Sequence, residues 1–307
     1  IINWVKRVYK WTRAHSLSSF GWLQDIPKYS SWCETCSLTD LIHLAIILAK
    51  NGHPEYWNDV ERIVRNQLLE NQFRHVEWII SKEAQARSRT KVASILLGSF
   101  ESWALPNSLL GVVKDPRFPF GVEGCCTGAG IRGLFLAWDH IVTKTERGVF
   151  VNLAFSRDSE WVEVISYRDY EGKVVFIIHD APVLYVRIPD WVRHSEVKVF
   201  VDGVKKSTIF PPARVWGEKP RWEKDYIKIE GLSEGQVVTV KYPLRRMEEL
   251  EVVDRKVYRV VWKGDTVIKI WPKGKLYPIY QREYMGLDKA PLTEKRYGAA
   301  ETVKVHW

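Results

Sequence analysis

All four cysteines of the chain lie in two short segments, each followed by a predicted helix. Residues 32–36 read Trp-Cys-Glu-Thr-Cys, and residues 124–128 read Gly-Cys-Cys-Thr-Gly. Three thiolates and one carboxylate form a complete tetrahedral ligand set for Zn2+, which accepts sulfur and oxygen ligands. Glu34 and Cys36 are two positions apart, so an extended turn can bring both to one ion. The residue types therefore permit a zinc site, although the spacing lacks the paired Cys-x-x-Cys motifs of a zinc finger.

Other interpretations of the cysteines stay open at this point. Unligated cysteine is among the most buried residue types, so all four side chains can be ordinary core residues. A thiol-based redox or metal-sensing protein is a further alternative, but its usual Cys-x-x-Cys spacing is missing. Cys125 and Cys126 are adjacent, and neighbouring cysteines rarely meet the geometry of a disulfide. A thiolate near a helix start is stabilised by the helix dipole, which favours thiolate chemistry in both segments.

The elements that must position these segments are predicted to be helices. Ser37–Asp40 has the form of a capping box, and Gly52 is expected to close the helix that follows it. Asn58 can cap a second helix, residues 78–88 suit a weaker one, and another is predicted to start near Gly128. The last helix carries an apolar stripe formed by Ile131, Leu134, Phe135, Trp138 and Ile141.

From about Gly148 the apolar residues recur with a period of two. Val174–Ile178 and Val183–Ile188 are typical of strands, and turn signals such as Asp202-Gly203 recur between such segments. Many short strands with regular turns favour an antiparallel β-sandwich. We therefore predict a multidomain α+β protein, with a helical region at residues 1–147 and a β-sandwich region at residues 148–307.

Composition excludes several classes of protein. The 307 residues are 46% hydrophobic and 27% charged, which argues against intrinsic disorder and suggests about two domains. No apolar run approaches about 18 residues, so no membrane partner is expected. The net charge is +9, but the basic residues are scattered, so no nucleic-acid surface is predicted. The 15 tryptophans favour a carbohydrate site, with core packing as the alternative for each of the four candidates Trp22, Trp32, Trp78 and Trp103.

The order of these motifs resembles glycoside hydrolase family 127, the β-L-arabinofuranosidase-like proteins, and its uncharacterised relatives. Glu34-Thr35-Cys36 followed by Cys125-Cys126 carries the likeness. The supporting segments are Trp57–Glu70, Val151–Leu153, Arg187–Trp191, Asp202-Gly203 and Tyr242-Pro243. The resemblance implies an (α/α)6 barrel followed by β-sandwich modules. A full barrel has twelve helices and this sequence supplies about five, so we expect the C-terminal part of such a protein, with a partial barrel.

The resemblance also implies a site and a chemistry. Glu34, Cys36, Cys125 and Cys126 would hold Zn2+, and Cys125 would be the nucleophile of a zinc-dependent retaining glycoside hydrolase. Its substrate would be an arabinose-containing or related glycoside. Zinc bound by thiolates favours a reducing, cytoplasmic location. Assembly into a homo-oligomer stays open.

One position departs from the family pattern. Members carry an acid/base glutamate about sixteen residues before the metal-binding glutamate, and Ser18 occupies that position here. A serine hydroxyl is too weak an acid to protonate a leaving group efficiently. The carboxyl groups that remain as candidates are Asp25, Glu70, Glu77 and Glu123. The alternative function is a non-catalytic or degenerate relative that keeps zinc to stabilise its fold and binds carbohydrate.

Overall fold

The computed structural model describes residues 1–77, 93–110, 121–206, 221–223, 225–275, 277–282 and 285. The described helices are α1 (Ile2–His15), α2 (Thr35–Lys50), α3 (Tyr56–Ile63), α4 (Ala93–Leu96) and α5 (Gly124–Asp139). Helix α3 continues into a π-helical turn at Val64–Leu68, and a short 3-10 helix spans His194–Glu196. The weak helix predicted at residues 78–88 lies outside the described residues. Among the described helices, none is long and apolar enough to span a bilayer.

The strands follow the last helix and form three sheets. They are β1 (Val142–Thr145), β2 (Gly148–Val151), β3 (Arg157–Asp158), β4 (Val162–Ser166), β5 (Lys173–Ile178), β6 (Val183–Arg187), β7 (Lys198–Val201), β8 (Val204–Lys206), β9 (Arg221–Glu223), β10 (Tyr226–Glu230), β11 (Val237–Lys241), β12 (Arg246–Val253), β13 (Lys256–Lys263) and β14 (Thr266–Trp271). The strand orders are β1-β2-β6-β10-β9, β3-β4-β5-β11-β7-β8 and β12-β13-β14. The described pairs are antiparallel apart from β2 with β6, which is parallel.

The mixed α+β class predicted from the sequence is confirmed, with helices first and strands after them. The period of two in β5 buries Val174, Phe176 and Ile178 on one face of the second sheet. Val174 and Phe176 line the same small gap as Val151 and Val186 of the first sheet, so the two sheets share a core. The (α/α)6 barrel, the β-sandwich architecture and the division at residue 147 stay predictions.

Helices α2 and α5 form a parallel pair that runs in register from end to end. Contacts cross the pair at its start, one turn later and at its end, and each joins residues 90 positions apart: Cys36 to Cys126 at 3.5 Å, Thr39 to Ala129 at 3.0 Å, and Lys50 to His140 at 3.4 Å. The two helices therefore present their N-termini at one end of the pair and their C-termini at the other.

Small side chains allow α5 to approach its neighbours closely. Its buried positions are Cys126, Gly130, Gly133 and Ala137, which recur at helical spacing on one face. A Cβ atom on Gly133 would lie 2.9 Å from Oγ1 of Thr39. Three members of the bulky apolar stripe of this helix are exposed, because the small residues take the packed face. The exposed members are Ile131, Phe135 and Trp138.

Gly130→Ala is expected to destabilise the protein, although alanine favours helices. The added Cβ would lie 2.2 Å from the ring of Phe100, which cannot move without disturbing the core. Overpacking of this kind costs about 1–3 kcal/mol and outweighs the gain of about 1 kcal/mol in helix propensity. The matched control is Gly128→Ala in the same helix, where the Cβ meets nothing within 4 Å. Thermal unfolding should give a lower Tm for Gly130→Ala and a higher Tm for Gly128→Ala. Equal Tm values would contradict the close packing.

The predicted cap at Asn58 is wrong, because α3 begins at Tyr56 with Glu55 as its N-cap. The side chain of Asn58 is buried instead and accepts a hydrogen bond from the guanidinium of Arg187 on β6. A tertiary contact thus uses the oxygen that local capping would have used. Gly52 follows the C-cap of α2 with a φ of +90°, as predicted for a residue that closes a helix.

A buried ion cluster ties α3 to the β region. The Glu61 carboxylate accepts hydrogen bonds from Arg65 at 3.1 Å, from Arg168 at 2.5 Å and from Arg187 of β6. Arg168 also donates to Asp265, between β13 and β14, at 2.5 Å. Burial alone would raise the pKa of Asp265, but the guanidinium groups of Arg168 and Arg65 outweigh it and hold that pKa well below its ordinary value. The cluster therefore joins elements that are far apart in the sequence.

Candidate metal and active site

The parallel start of α2 and α5 brings the two cysteine segments together. Glu34 is the N-cap of α2 and Cys36 lies in its first turn, while Cys125 and Cys126 lie in the first turn of α5. One ligand atom from each of these four residues lies within 4.8 Å of the other three. The structure therefore gathers the four side chains that the sequence singled out at one point.

The starts of both helices differ from the sequence prediction. Helix α2 begins at Thr35, so the capping-box prediction is wrong, and Ser37 lies inside the first turn with its hydroxyl donating to Asp25 at 2.9 Å. Helix α5 begins at Gly124 rather than near Gly128, so its cysteines belong to the helix itself. In both cases the proposed ligands therefore lie at the N-cap or in the first turn of a helix, the end at which the backbone N–H groups have no partner within the helix.

The geometry and chemistry of the cluster fit a zinc ion. Tetrahedral zinc with Zn–S bonds of about 2.3 Å places its ligand atoms about 3.8 Å apart. The Sγ atoms of Cys36 and Cys126 are 3.5 Å apart, and Sγ of Cys126 lies 4.0 Å from Oε1 of Glu34. A set of three sulfurs and one carboxylate oxygen binds zinc in preference to magnesium or calcium, which favour oxygen ligands alone. The four residues can therefore bind one ion with only small shifts.

The electrostatics of the cluster favour a bound cation. Burial, and then the hydrogen bond with Cys126, raises the pKa of the Cys36 thiol. Burial likewise raises the pKa of Cys126, and burial followed by the charge of Asp25 raises the pKa of Glu34. Neighbouring acids cannot all ionise without a counter-charge, and a divalent cation supplies one. The positive ends of two helix dipoles point at the same place and also favour thiolates.

The four cysteines differ in exposure. Cys125 is exposed, Cys36 is partly buried and Cys126 is buried, so Cys125 is the sulfur that a ligand from solvent reaches first. Cys33 lies outside the cluster and is fully buried, and burial raises the pKa of its thiol to about 12. The interpretation of Cys33 as an ordinary core cysteine agrees with this placement.

Ser18 forms part of a tight turn. It is buried, and its hydroxyl oxygen accepts a hydrogen bond from the backbone N–H of Trp22 at 2.8 Å. The backbone N–H of Ser18 in turn donates to the carbonyl oxygen of Trp22 at 2.8 Å. This position therefore has a structural role in the loop before α2 and offers no acid.

Two of the four candidate carboxyl groups lie beside the cluster. Oε2 of Glu123, the N-cap residue of α5, is 3.5 Å from Sγ of Cys125. Asp25 contacts Glu34 and accepts the hydrogen bond from Ser37. Glu123 and Asp25 are therefore the carboxyl groups placed to exchange protons at the cluster.

The other two candidates lie elsewhere. Glu70 is buried and forms ion pairs with Arg282 at 2.5 Å and with Arg74 at 3.3 Å, which is a structural role. Glu77 is exposed near the end of a described segment. The structure therefore places two of the four candidate carboxyl groups beside the cluster and two away from it, a distinction that the sequence alone did not make.

Sequence reasoning missed Glu101, a fully buried carboxyl group. Its backbone carbonyl accepts a hydrogen bond from the hydroxyl of Thr35 at 2.6 Å, next to the first cysteine segment. Burial raises the pKa of Glu101 to about 9, and only the N–H of Trp103 at 3.3 Å opposes that rise. Oε2 has no hydrogen-bond partner among the described residues. The sequence offered one signal of this burial, because Glu101 lies between the large apolar residues Phe100 and Trp103 in the chain.

The candidate tryptophans divide in the same way. Trp22 is buried, and its indole N–H donates to the carbonyl of Ala104 at 3.0 Å, so it is a core residue. Trp32, directly before the first cysteine segment, is 37% exposed and remains available to a ligand. Trp103 is partly buried, and Trp78 lies outside the described residues.

Two solved structures of other proteins are similar to the fold of this chain. No protein-family model and no curated protein matches the sequence. A crystal structure of a GH127 β-L-arabinofuranosidase from Geobacillus stearothermophilus T6 does match, with a TM-score of 0.54, 15% identity, and coverage of 82% of this chain and 40% of that one. The chain is GH127-like in fold. A second structure, described as a glycoside hydrolase, matches with a TM-score of 0.57 and 14% identity, over 84% of this chain and 46% of that one.

The GH127-like chain spans less than half of the length of either structure. Both matched structures are glycoside hydrolases, and these matches confirm the resemblance inferred from the motifs as a likeness of fold.

Proposed function

We propose that the chain carries the zinc and nucleophile residues of a retaining glycoside hydrolase of the β-L-arabinofuranosidase-like kind. The observation that supports this most is the convergence of four ligand atoms within 4.8 Å, with one sulfur facing outward. Glu34, Cys36, Cys125 and Cys126 would hold the ion. When bound, zinc supplies the positive charge that keeps the thiols deprotonated at neutral pH and fixes their positions.

Cys125 is proposed as the nucleophile because it is the exposed sulfur of the cluster. Its thiolate would attack the anomeric carbon, forming a C–S bond while the bond to the leaving oxygen breaks. The leaving oxygen takes a proton from a carboxylic acid. Water then attacks the same carbon, the C–S bond breaks, and the proton of the water passes to the carboxylate, with net retention of configuration. Glu123, 3.5 Å from the sulfur, is our first candidate for that carboxyl group.

A panel of aryl glycosides that includes aryl β-L-arabinofuranoside tests the proposal. The unmodified protein should release the aryl alcohol, and Cys125→Ala should reduce kcat at least about 1000-fold, because no other group replaces the nucleophile. Cys33→Ala is the matched control, since its thiol lies outside the cluster. Mass spectrometry should detect a glycosyl adduct on Cys125. Unchanged activity of Cys125→Ala would remove this residue as nucleophile.

Ser18 favours a second candidate function, a non-catalytic zinc-stabilised protein that binds carbohydrate. Its hydroxyl is committed to the turn with Trp22, so the expected acid/base position holds no acid. For this alternative we expect zinc and sugar binding, measured by calorimetry with the same glycosides, without turnover of any member of the panel. Release of the aryl alcohol would exclude it.

A further inference from the structure

Residues 100–104, which we call the bridging segment, form hydrogen bonds with both cysteine segments. On the side of α2, the backbone N–H of Cys33 donates to the carbonyl oxygen of Ala104 at 2.8 Å. On the same side, the hydroxyl of Thr35 donates to the carbonyl oxygen of Glu101 at 2.6 Å. The first cysteine segment and the start of α2 are therefore held against the bridging segment.

The bridging segment is also bonded to the residues at the start of α5. The backbone N–H of Ser102 donates to the carbonyl oxygen of Gly121 at 2.7 Å. The hydroxyl oxygen of Ser102 accepts a hydrogen bond from the backbone N–H of Glu123, the N-cap residue of α5, at 3.0 Å. One segment therefore contacts both halves of the ligand cluster, and Ser102 is its contact with the second half.

A network of buried polar side chains holds the bridging segment in place. The backbone N–H of Glu101 donates to the carbonyl oxygen of Asn71 at 2.8 Å, and Nδ2 of Asn71 donates to Oγ1 of Thr35 at 3.0 Å. Nε2 of Gln67 donates to Oδ1 of Asn71 at 2.7 Å, and the hydroxyl of Tyr280 donates to Oε1 of Gln67 at 2.7 Å. All five residues are fully buried. A network in which each member is satisfied is rigid, so the backbone that carries Ser102 has a fixed position.

The hydroxyl of Ser102 has one proton to donate, and a ligand sulfur is there to accept it. The Ser102 side chain is fully buried, and its oxygen already accepts the N–H of Glu123. The same side chain is hydrogen-bonded to the side chain of Cys126, the buried sulfur of the cluster. A hydroxyl that accepts one bond keeps its own hydrogen for another, and a metal-bound thiolate has no proton to give. Ser102 is therefore the donor whenever Cys126 binds a metal.

A hydrogen bond of this kind affects both the charge and the direction of the ligand sulfur. Burial raises the pKa of the Cys126 thiol, and the bond from Ser102 opposes that rise because it stabilises the thiolate. The backbone N–H of Cys36 also bonds to this sulfur, so donors from two different parts of the chain orient it. Hydrogen bonds from outside the ligand set commonly contribute about 10- to 100-fold to metal affinity.

We propose that Ser102 is a positioning residue of the zinc site, which donates its hydroxyl proton to the sulfur of Cys126 and holds the backbone of Glu123 with its oxygen. The role rests on the zinc site of the proposed function. It links a metal ligand to the carboxyl group that lies 3.5 Å from the sulfur of Cys125. Ser102 touches neither a substrate nor the reacting atoms, so it acts through Cys126 and Glu123.

Ser102→Ala, studied by competition with a chromophoric chelator, tests the proposal. We expect the variant to bind zinc about tenfold more weakly than the unmodified protein, because Cys126 loses its hydroxyl donor. With cobalt in place of zinc, the sulfur-to-cobalt charge-transfer band should move to longer wavelength, since a thiolate without that bond gives up an electron more readily. A general loss of stability does not shift this band. Circular dichroism checks that the variant is folded.

Ser99→Ala is the matched control in the neighbouring chain. Ser99 is also buried, but its hydroxyl donates to the carbonyl oxygen of Leu96 at 2.6 Å, away from the cysteines. We expect this variant to keep the zinc affinity and the cobalt band of the unmodified protein.

Three outcomes would overturn the role of Ser102. They are equal zinc affinities in Ser102→Ala and Ser99→Ala, an unshifted cobalt band in Ser102→Ala, and a crystal structure of the zinc-bound unmodified protein in which Oγ of Ser102 lies beyond hydrogen-bond distance of the sulfur of Cys126. An unmodified protein that binds neither zinc nor cobalt would overturn the zinc site itself and this role with it. Zinc binding without glycosidase activity would contradict the catalytic proposal and leave the result for Ser102 standing.

Discussion

Replacing Glu61 by glutamine is expected to destabilise the protein by about 3–5 kcal/mol, because it removes one partner from a buried ion cluster. The Glu61 side chain is fully buried and contacts three guanidinium groups, those of Arg65, Arg168 and Arg187. The three arginines are themselves almost completely buried. An amide keeps the size of the side chain but leaves a buried positive charge without its counter-ion. Urea unfolding followed by far-UV circular dichroism measures the difference.

The matched control is Glu248→Gln on β12. This substitution removes the same charge at an exposed site, where the partner of Glu248, Arg259, is 3.9 Å away. Exposed ion pairs contribute little, so a change within about 0.5 kcal/mol is expected. If Glu61→Gln changes the free energy of unfolding no more than Glu248→Gln does, the buried cluster does not hold α3 to the β region as described.

Replacing Cys126 by alanine is expected to lower the affinity for zinc by about 100- to 1000-fold, because one of four ligands is lost. Cys126 is the buried sulfur of the cluster and contacts both Cys36 and Glu34. A ligand that binds only the folded chain raises its Tm, so the Tm in the presence of zinc should fall with the affinity. Competition with a chromophoric chelator measures the affinity, and thermal unfolding with and without added zinc measures the linked stability.

Cys33→Ala serves as the control for this experiment as well. Cys33 is as deeply buried as Cys126 but lies outside the cluster, with its backbone N–H bonded to the carbonyl of Ala104 at 2.8 Å. We expect this variant to keep the zinc affinity of the unmodified chain. Equal losses of affinity in the two variants would mean that the effect comes from a disturbed core and not from a lost ligand.

Residue types and their grouping indicated that Glu34 and the cysteines could form one site, and the resemblance to GH127 proteins implied which three cysteines join Glu34. Glu34 and Cys36 on one side, and Cys125 with Cys126 on the other, were the sole sulfur-rich segments of the chain. Their meeting in space depends on the parallel register of α2 and α5, which local patterns do not contain. The class α+β was likewise readable, because the apolar period changes along the chain.

The helix boundaries and faces could not be predicted from local rules alone. Ser37 has the sequence of a cap, but Asp25 binds its hydroxyl, and Asn58 is bound by Arg187. Gly130 and Gly133 take the packed face of α5 because they allow closer approach, which leaves the bulkier Phe135 exposed. In each case a contact between residues far apart in the chain decides the structure, and a rule about neighbouring residues does not include it.

The buried charged residues could not be predicted from any pattern in the sequence. Glu61 meets Arg168 and Arg187 across 107 and 126 positions of the chain, a separation that no periodicity reveals. The Glu101 carboxyl group is fully buried against Gly121 in the segment before α5, and the Glu101 carbonyl accepts a hydrogen bond from Thr35 of α2. Long-range packing decides whether such a carboxylate is solvated or enclosed, so its environment emerges only in the folded chain.

The metal content of the purified protein tests the zinc site most directly. Prepared in reducing buffer without chelators, the unmodified chain should contain one zinc ion per molecule by inductively coupled plasma mass spectrometry. X-ray absorption at the zinc edge should show three sulfur ligands and one lighter atom, the set offered by Glu34, Cys36, Cys125 and Cys126. A folded protein that remains free of metal after addition of zinc would contradict the site and the chemistry built on it.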